Sequence, residues 1–247
     1  MLVLHQAMLY LHIILGSVAL VVFWVPIAAR KGGSNHVLFG KIYVWSMYLV
    51  ATSGILMSLM VLVHPAFFKA GLLQDATSAK DMLRQIYYFW SLLLFLSLLT
   101  FVSVRQAMLV LKHKRNTQVF RHWSYLWMPA IMFLGGVSLI SMAVISDDRL
   151  ILHYIFGGIG LISGVQMRRF AFEKNATPKR WLAEHISSTI GSGIAVYTAF
   201  FAFGARQWFN FLGDWQLLAW LVPGLVGTFV IFWATRRYVA PTRAQRS

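Results

Sequence analysis

The chain has 247 residues, 59% of them hydrophobic and only 12% charged, with a formal net charge of +15 and no cysteine. A soluble domain carries about 45–50% apolar and about 25% charged residues, so this composition, with a mean hydropathy of +0.67, is that of a polytopic membrane protein. The absence of cysteine excludes disulfides, thiolate metal sites, iron–sulfur clusters and thiol redox chemistry.

Apolar runs bounded by charge and by Pro or Gly predict an all-α fold of seven transmembrane helices. In chain order the spans cover about 2–29, 37–63, 84–111, 122–146, 149–167, 183–205 and 215–236, followed by a polar tail over 239–247. The first span lacks a basic leader and is followed by Arg30 and Lys31 without a small-residue cleavage site, so it reads as a retained helix and not a signal peptide.

The loops alternate in charge. After odd-numbered spans they carry Arg30, Lys31 and Lys41, then Lys112, Lys114, Arg115 and Arg121, then Arg168, Arg169, Lys174, Lys179 and Arg180. Arg236, Arg237, Arg243 and Arg246 follow the last span. The opposite loops are mixed: Lys69, Asp75, Lys80 and Asp81, then Asp147, Asp148 and Arg149, then Arg206 and Asp214. Basic loops stay cytoplasmic, which predicts an outside N-terminus and a cytoplasmic C-terminus. Basic residues placed in short loops, and not along one face of a domain, make the lipid bilayer the expected partner and exclude nucleic acid.

Trp45, Tyr87, Tyr88, Trp90, Trp123, Trp127, Trp208 and Trp215 fall toward span ends, as interfacial anchors do. The glycine pairs 135/136, 157/160 and 191/193 suit close helix approach. The seven carboxylates (Asp75, Asp81, Asp147, Asp148, Glu173, Glu184 and Asp214) all fall in loops or at span ends, and no Lys or Arg is expected within a span core. Carboxylate-driven hydrolysis, carboxylate-bridged metal pairs and Ser-His-Asp chemistry therefore lack a member. There is also no Gly-rich phosphate loop and no H-E-x-x-H motif. What chemistry remains belongs to imidazole.

Of the eight histidines, His113 and His122 belong to the basic loop between spans three and four, where solvation explains them, while His5 and His64 lie near outer span ends. The other four form a pattern. LHIILGSVAL (11–20) and LHYIFGGIGL (152–161) both fit L-H-x-I-x-G-x-x-x-L, in spans one and five. His12 and His153 lie about 17 and about 15 residues before their predicted span ends, roughly 22–26 Å along the helix. Each span then leads through a basic loop to a second histidine, His36 or His185. Spans one–two and five–six thus read as a parallel internal repeat about an axis along the membrane normal.

A single intramembrane histidine is explained by a bond to a neighbouring carbonyl. Two pairs at two depths suit bis-imidazole ligation of two haem b groups, one on His12 and His153 and one on His36 and His185. Gly16, Gly40 and Gly157 lie one helical turn beyond His12, His36 and His153 and would clear room for a flat macrocycle. His185 departs from this with Thr189. Arg30, Lys41 and Arg180 would serve the haem propionates or act only as topology charges. The expected function is a b-type cytochrome passing electrons across the bilayer from a quinone pool or a redox partner protein. One alternative is a histidine-ligated Zn, Cu or Fe ion at an outer site of His5, His12, His64 and His153. The other is an accessory membrane subunit whose histidines only join helices.

The hairpin LHIILGSVALVVFWVPIAARKGGSNHVLFGKIYVW resembles a family of functionally uncharacterised bacterial membrane proteins. That family has an intramembrane His in its first helix, a short basic loop, and His-x3-Gly opening the second. The likeness covers mainly residues 11–48 and departs at Val37, where the family pattern has a basic residue. It implies the fold and the compartment, a multi-pass protein of a bacterial inner membrane. In layout alone, the two histidine layers resemble di-haem b-type transmembrane cytochromes and ferric-reductase-like proteins.

Overall fold

The computed structural model describes residues 1–74, 78–114, 116–146, 148–173, 179–205, 213 and 216–239. Among them every regular element is helical. In chain order these are α1 (Leu2–Val22), α2 (Trp24–Ala28), α3 (Ser34–Val63), α4 (Pro65–Phe68), α5 (Ala70–Gln74), α6 (Ala79–Lys112), a 3-10 turn (Thr117–Arg121), α7 (Trp123–Ile145), α8 (Ile151–Phe172), α9 (Arg180–Ala199) with a π turn (Phe200–Gly204), and α10 (Leu218–Val239). Trp208, Trp215, Asp75, Arg115, Asp147, Lys174, Arg206, Asp214 and tail residues 240–247 lie outside the described residues.

Six of these segments are long and apolar enough to cross a membrane: Leu2–Ala28, Ser34–Val63, Ala79–Lys112, Trp123–Ile145, Arg180–Gly204 and Leu218–Val239. The fifth predicted span is present as α8, but it is not among the six. Gly157, Gly158, Gly160, Gly164, His153, Gln166, Arg168 and Arg169 dilute its apolarity.

Local chemistry sets the boundaries. Pro26 has no N–H for the Val22 carbonyl, and the helix breaks at Phe23 between α1 and α2. Arg30 to Gly33 closes a tight turn, with the Gly33 N–H donating to the Arg30 carbonyl at 2.9 Å. Gly32 takes φ 77° there, a conformation that favours glycine. Pro65 at the first position of α4 separates that short helix from α3. α6 starts before its predicted span because the Ser78 hydroxyl accepts from the Asp81 N–H at 3.4 Å.

The chain forms two compact units. One comprises Met1–Leu15, Tyr48–Leu99 and Thr117–Glu173, and the other Gly16–Met47, Thr100–Asn116 and Lys174–Ser247. In the first, α7 and α8 meet backbone to backbone. A Cβ on Gly136 would stand 2.6 Å from the Gly157 carbonyl oxygen, and one on Gly164 2.8 Å from that of Pro129. The Phe95 ring seals this seam, because Cβ atoms on Gly135 and Gly160 would both collide with it. In the second unit, the Phe23 ring occupies the place of a side chain at Gly193. The buried Tyr43 hydroxyl meets Ser192 at 2.8 Å, and the Trp24 indole N–H donates to Tyr197.

Candidate functional site

His36 sits in the first turn of α3, directly after the Gly32–Gly33 turn, which returns the chain to the end of α2. Its Nδ1 lies 2.9 Å from the Pro26 carbonyl oxygen. A carbonyl only accepts, so Nδ1 carries the hydrogen and the lone pair of a neutral ring is on Nε2. Lys31 Nζ donates to the same Pro26 oxygen at 3.0 Å and to the Ile27 oxygen. Lysine and histidine together satisfy carbonyls that the end of α2 leaves open.

His185, in the second turn of α9, repeats this chemistry. Its Nδ1 donates to the Ala107 carbonyl of α6 at 3.1 Å, with Thr189 Oγ1 at 3.5 Å. Its Nε2 again bears the lone pair and has no partner among the described residues. His36 and Lys114 lie close enough for their charge to act on His185. The inner pair predicted from sequence is therefore gathered in one unit with both tautomers fixed alike.

Around it the sequence reading missed a polar group. Gln106 is 2% exposed and donates to Glu184 Oε2 at 3.3 Å, while Arg180 pairs with Glu184 Oε1 at 2.6 Å. Arg180, expected at a propionate or as a topology charge, is thus engaged by a carboxylate. Arg105 also lies well inside α6, with its Nε buried, against the expectation of spans free of Lys and Arg. The signal was Arg105 next to Gln106 within an apolar run, a pairing that lipid does not tolerate without partners.

The outer pair is not gathered in this way. His12 Nδ1 lies 2.9 Å from Ser53 Oγ, whose own hydrogen goes to the Val50 carbonyl at 2.9 Å. Ser53 therefore accepts from His12, and His12 Nε2 keeps its lone pair. A Cβ on Gly54 would stand 3.5 Å from His12 Cε1 and against Ser97 of α6. His153, 3% exposed, donates instead through Nε2 to the Tyr88 carbonyl of α6 at 3.1 Å. Tyr88 and Ser97 are nine residues apart, about 13 Å along one helix. Two corrections follow. His12 and His153 do not share a level, and His153 uses the nitrogen a ligand would need. The physical reason lies in the helix ends. α8 continues to Phe172, past its predicted end at 167, and α1 breaks at Phe23.

The glycines also divide. A Cβ on Gly16, Gly40 or Gly191 would meet nothing within 4 Å. On Gly157 it would lie 2.7 Å from Ile140 Cγ1 and 2.9 Å from the Gly136 oxygen, so the expected room for a macrocycle is filled by α7. His64 is exposed in the break before Pro65, and His5 packs on Phe68 with ring centroids 5.3 Å apart. No group of three or more His, Asp or Glu among the described residues can share a metal ion. His5, His12, His64 and His153, expected at a Zn, Cu or Fe site, are thus not brought together as such a group. His122 caps α7, its Nδ1 accepting from the Ser124 N–H at 3.3 Å. Compared with known protein families, curated proteins and solved structures, the chain matches none.

Proposed function

We propose that the chain is a seven-span protein of a bacterial inner membrane that carries electrons through one b-type haem held by His36 and His185. The observation that carries this reading is the matched tautomer. Both imidazoles give Nδ1–H to a backbone carbonyl, at 2.9 and 3.1 Å, and keep Nε2 as a base. A histidine that ligates a metal almost always has its other nitrogen fixed in this way. The donor set also fits: two imidazoles of one unit, clear space one turn beyond His36 at Gly40, and Arg30 and Lys41 without carboxylate partners among the described residues for the propionates. The bound group would supply one-electron exchange between ferrous and ferric iron. The protein supplies the ligands, their orientation and the polar groups beside them, Gln106 and Glu184 among them, that would set the potential. Electrons would come from a quinone pool or from a redox partner protein.

The test is haem per protein with reduced-minus-oxidised spectra of the purified chain. About one haem per chain is expected, lost in His36→Ala and in His185→Ala and kept in His153→Gln. A colourless wild type, or haem retained by both alanine variants, overturns the reading. The accessory-subunit reading would then stand, since His12, His36, His153 and His185 all bond a neighbouring segment.

A further inference from the structure

A second set of polar groups lies in the other unit. A groove of about 220 Å³ has apolar walls, Leu72, Ile86, Phe89 and Trp90 among them, and Lys69 and Gln85 as polar lining. Lys69 sits between α4 and α5 with its ammonium 4.8 Å from the centroid of the Trp90 ring. Burial there pushes its pKa below the ordinary lysine value. A lysine at a membrane surface usually extends its head into water, whereas this one lies half-buried over an indole.

No described carboxylate neutralises it, for Asp81 and Asp148 both face Arg84. His5 stands at the same indole, its ring centroid 6.2 Å from that of Trp90, and is close enough for the Lys69 charge to act on it. Its Nε2 is buried and has no hydrogen-bond partner among the described residues. Among the described residues, an ammonium without a carboxylate partner and an imidazole nitrogen without a hydrogen-bond partner thus both stand at the Trp90 ring, which forms one wall of the apolar groove. Both are completed by one kind of group, an oxyanion attached to hydrocarbon.

We propose that this groove binds the head of an anionic amphiphile, a carboxylate or a phosphate, with the first methylenes of its chain along Leu72, Ile86 and Phe89. Lys69 supplies a charge-assisted bond, the strongest kind available to an oxyanion here. His5 Nε2–H and the Gln85 amide supply further donors. A free fatty acid and an acidic phospholipid present this same chemistry. The site does not depend on haem, so it stands or falls apart from the electron-transfer reading.

The experiment is equilibrium binding of radiolabelled oleate and of short-chain phosphatidic acid to the full chain in a neutral detergent, with methyl oleate and phosphatidylcholine as uncharged and zwitterionic controls. Saturable binding of one acid near one per chain is expected, and the acid that binds identifies the source. Lys69→Met should weaken it about tenfold, which corresponds to about 1.4 kcal/mol. His5→Phe, which keeps the ring on Phe68 and Trp90, should weaken it as well. A photoreactive fatty acid or phospholipid should label residues within 68–90. Equal binding of the controls, unchanged affinity in both variants, or labelling confined to other segments overturns the proposal.

Discussion

Which nitrogen a histidine commits to the protein separates four residues that look equivalent in sequence. His12, His36 and His185 donate through Nδ1, and His153 donates through Nε2. An interhelical hydrogen bond inside a membrane is worth about 0.6 kcal/mol on average. His153→Gln, which can still donate to the Tyr88 carbonyl, should therefore change thermal stability little, whereas His153→Leu should lose about that bond plus the fit of the imidazole against Tyr88. Scanning the two variants by fluorescence-detected unfolding measures this. A large loss of stability in the glutamine variant would give His153 another role. The presence of each histidine was legible in the sequence. Its tautomer was not, because the acceptors come from other segments: Pro26 from α2, Ala107 and Tyr88 from α6, Ser53 from α3.

At the scale of the element, glycine shows the same division. Gly157, Gly160 and Gly164 all face α7, and every added Cβ would meet a backbone atom there at 2.9 Å or less. Gly16 and Gly40 face nothing within 4 Å. Gly160→Ala should thus force α7 and α8 apart and against Phe95, at a cost of about 1–3 kcal/mol as an overpacked contact. Gly40→Ala should be neutral to stability. Comparing the two by thermal unfolding checks the assignment, and equal effects would refute it. The pairs 135/136 and 157/160 were read correctly as packing glycines. The error was to give Gly157 a second role from its spacing to His153, since a spacing of four residues names a helical face and does not say what that face meets. The break at Phe23 was missed for a similar reason. Pro26 lies inside an apolar run, and a run predicts a span without predicting its continuity.

For the whole molecule, the number of crossings rests on α8. It is a helix of 22 residues, about 33 Å at 1.5 Å per residue and enough for a hydrocarbon core of about 30 Å. Yet it is the one long helix that falls short in apolarity. Its polar content has a physical outlet. The His153 ring is bonded to Tyr88, the glycine face is covered by α7, and Arg168 and Arg169 stand in its last turns, where a cytoplasmic end would place them. The polar and glycine positions on its covered face do not need the apolarity of a face toward lipid, and Ile151, Ile159, Ile162 and Val165 are exposed elsewhere on the helix. If α8 crosses, the chain has an odd number of spans and its two ends lie on opposite sides. Arg168 and Arg169 then join Lys112, Lys114 and Arg121 on the cytoplasmic side. If α8 does not cross, six spans put both ends on one side and divide these basic residues between the two faces. A reporter enzyme active only outside the cytoplasm, fused before Met1 behind a linker, should be active, and the same enzyme fused after Ser247 should be inactive. Matching results at the two ends would count six crossings. An inactive N-terminal and active C-terminal fusion would keep seven but reverse them, moving His36 and His185 to the outer face and with them the side on which the proposed haem meets its partner.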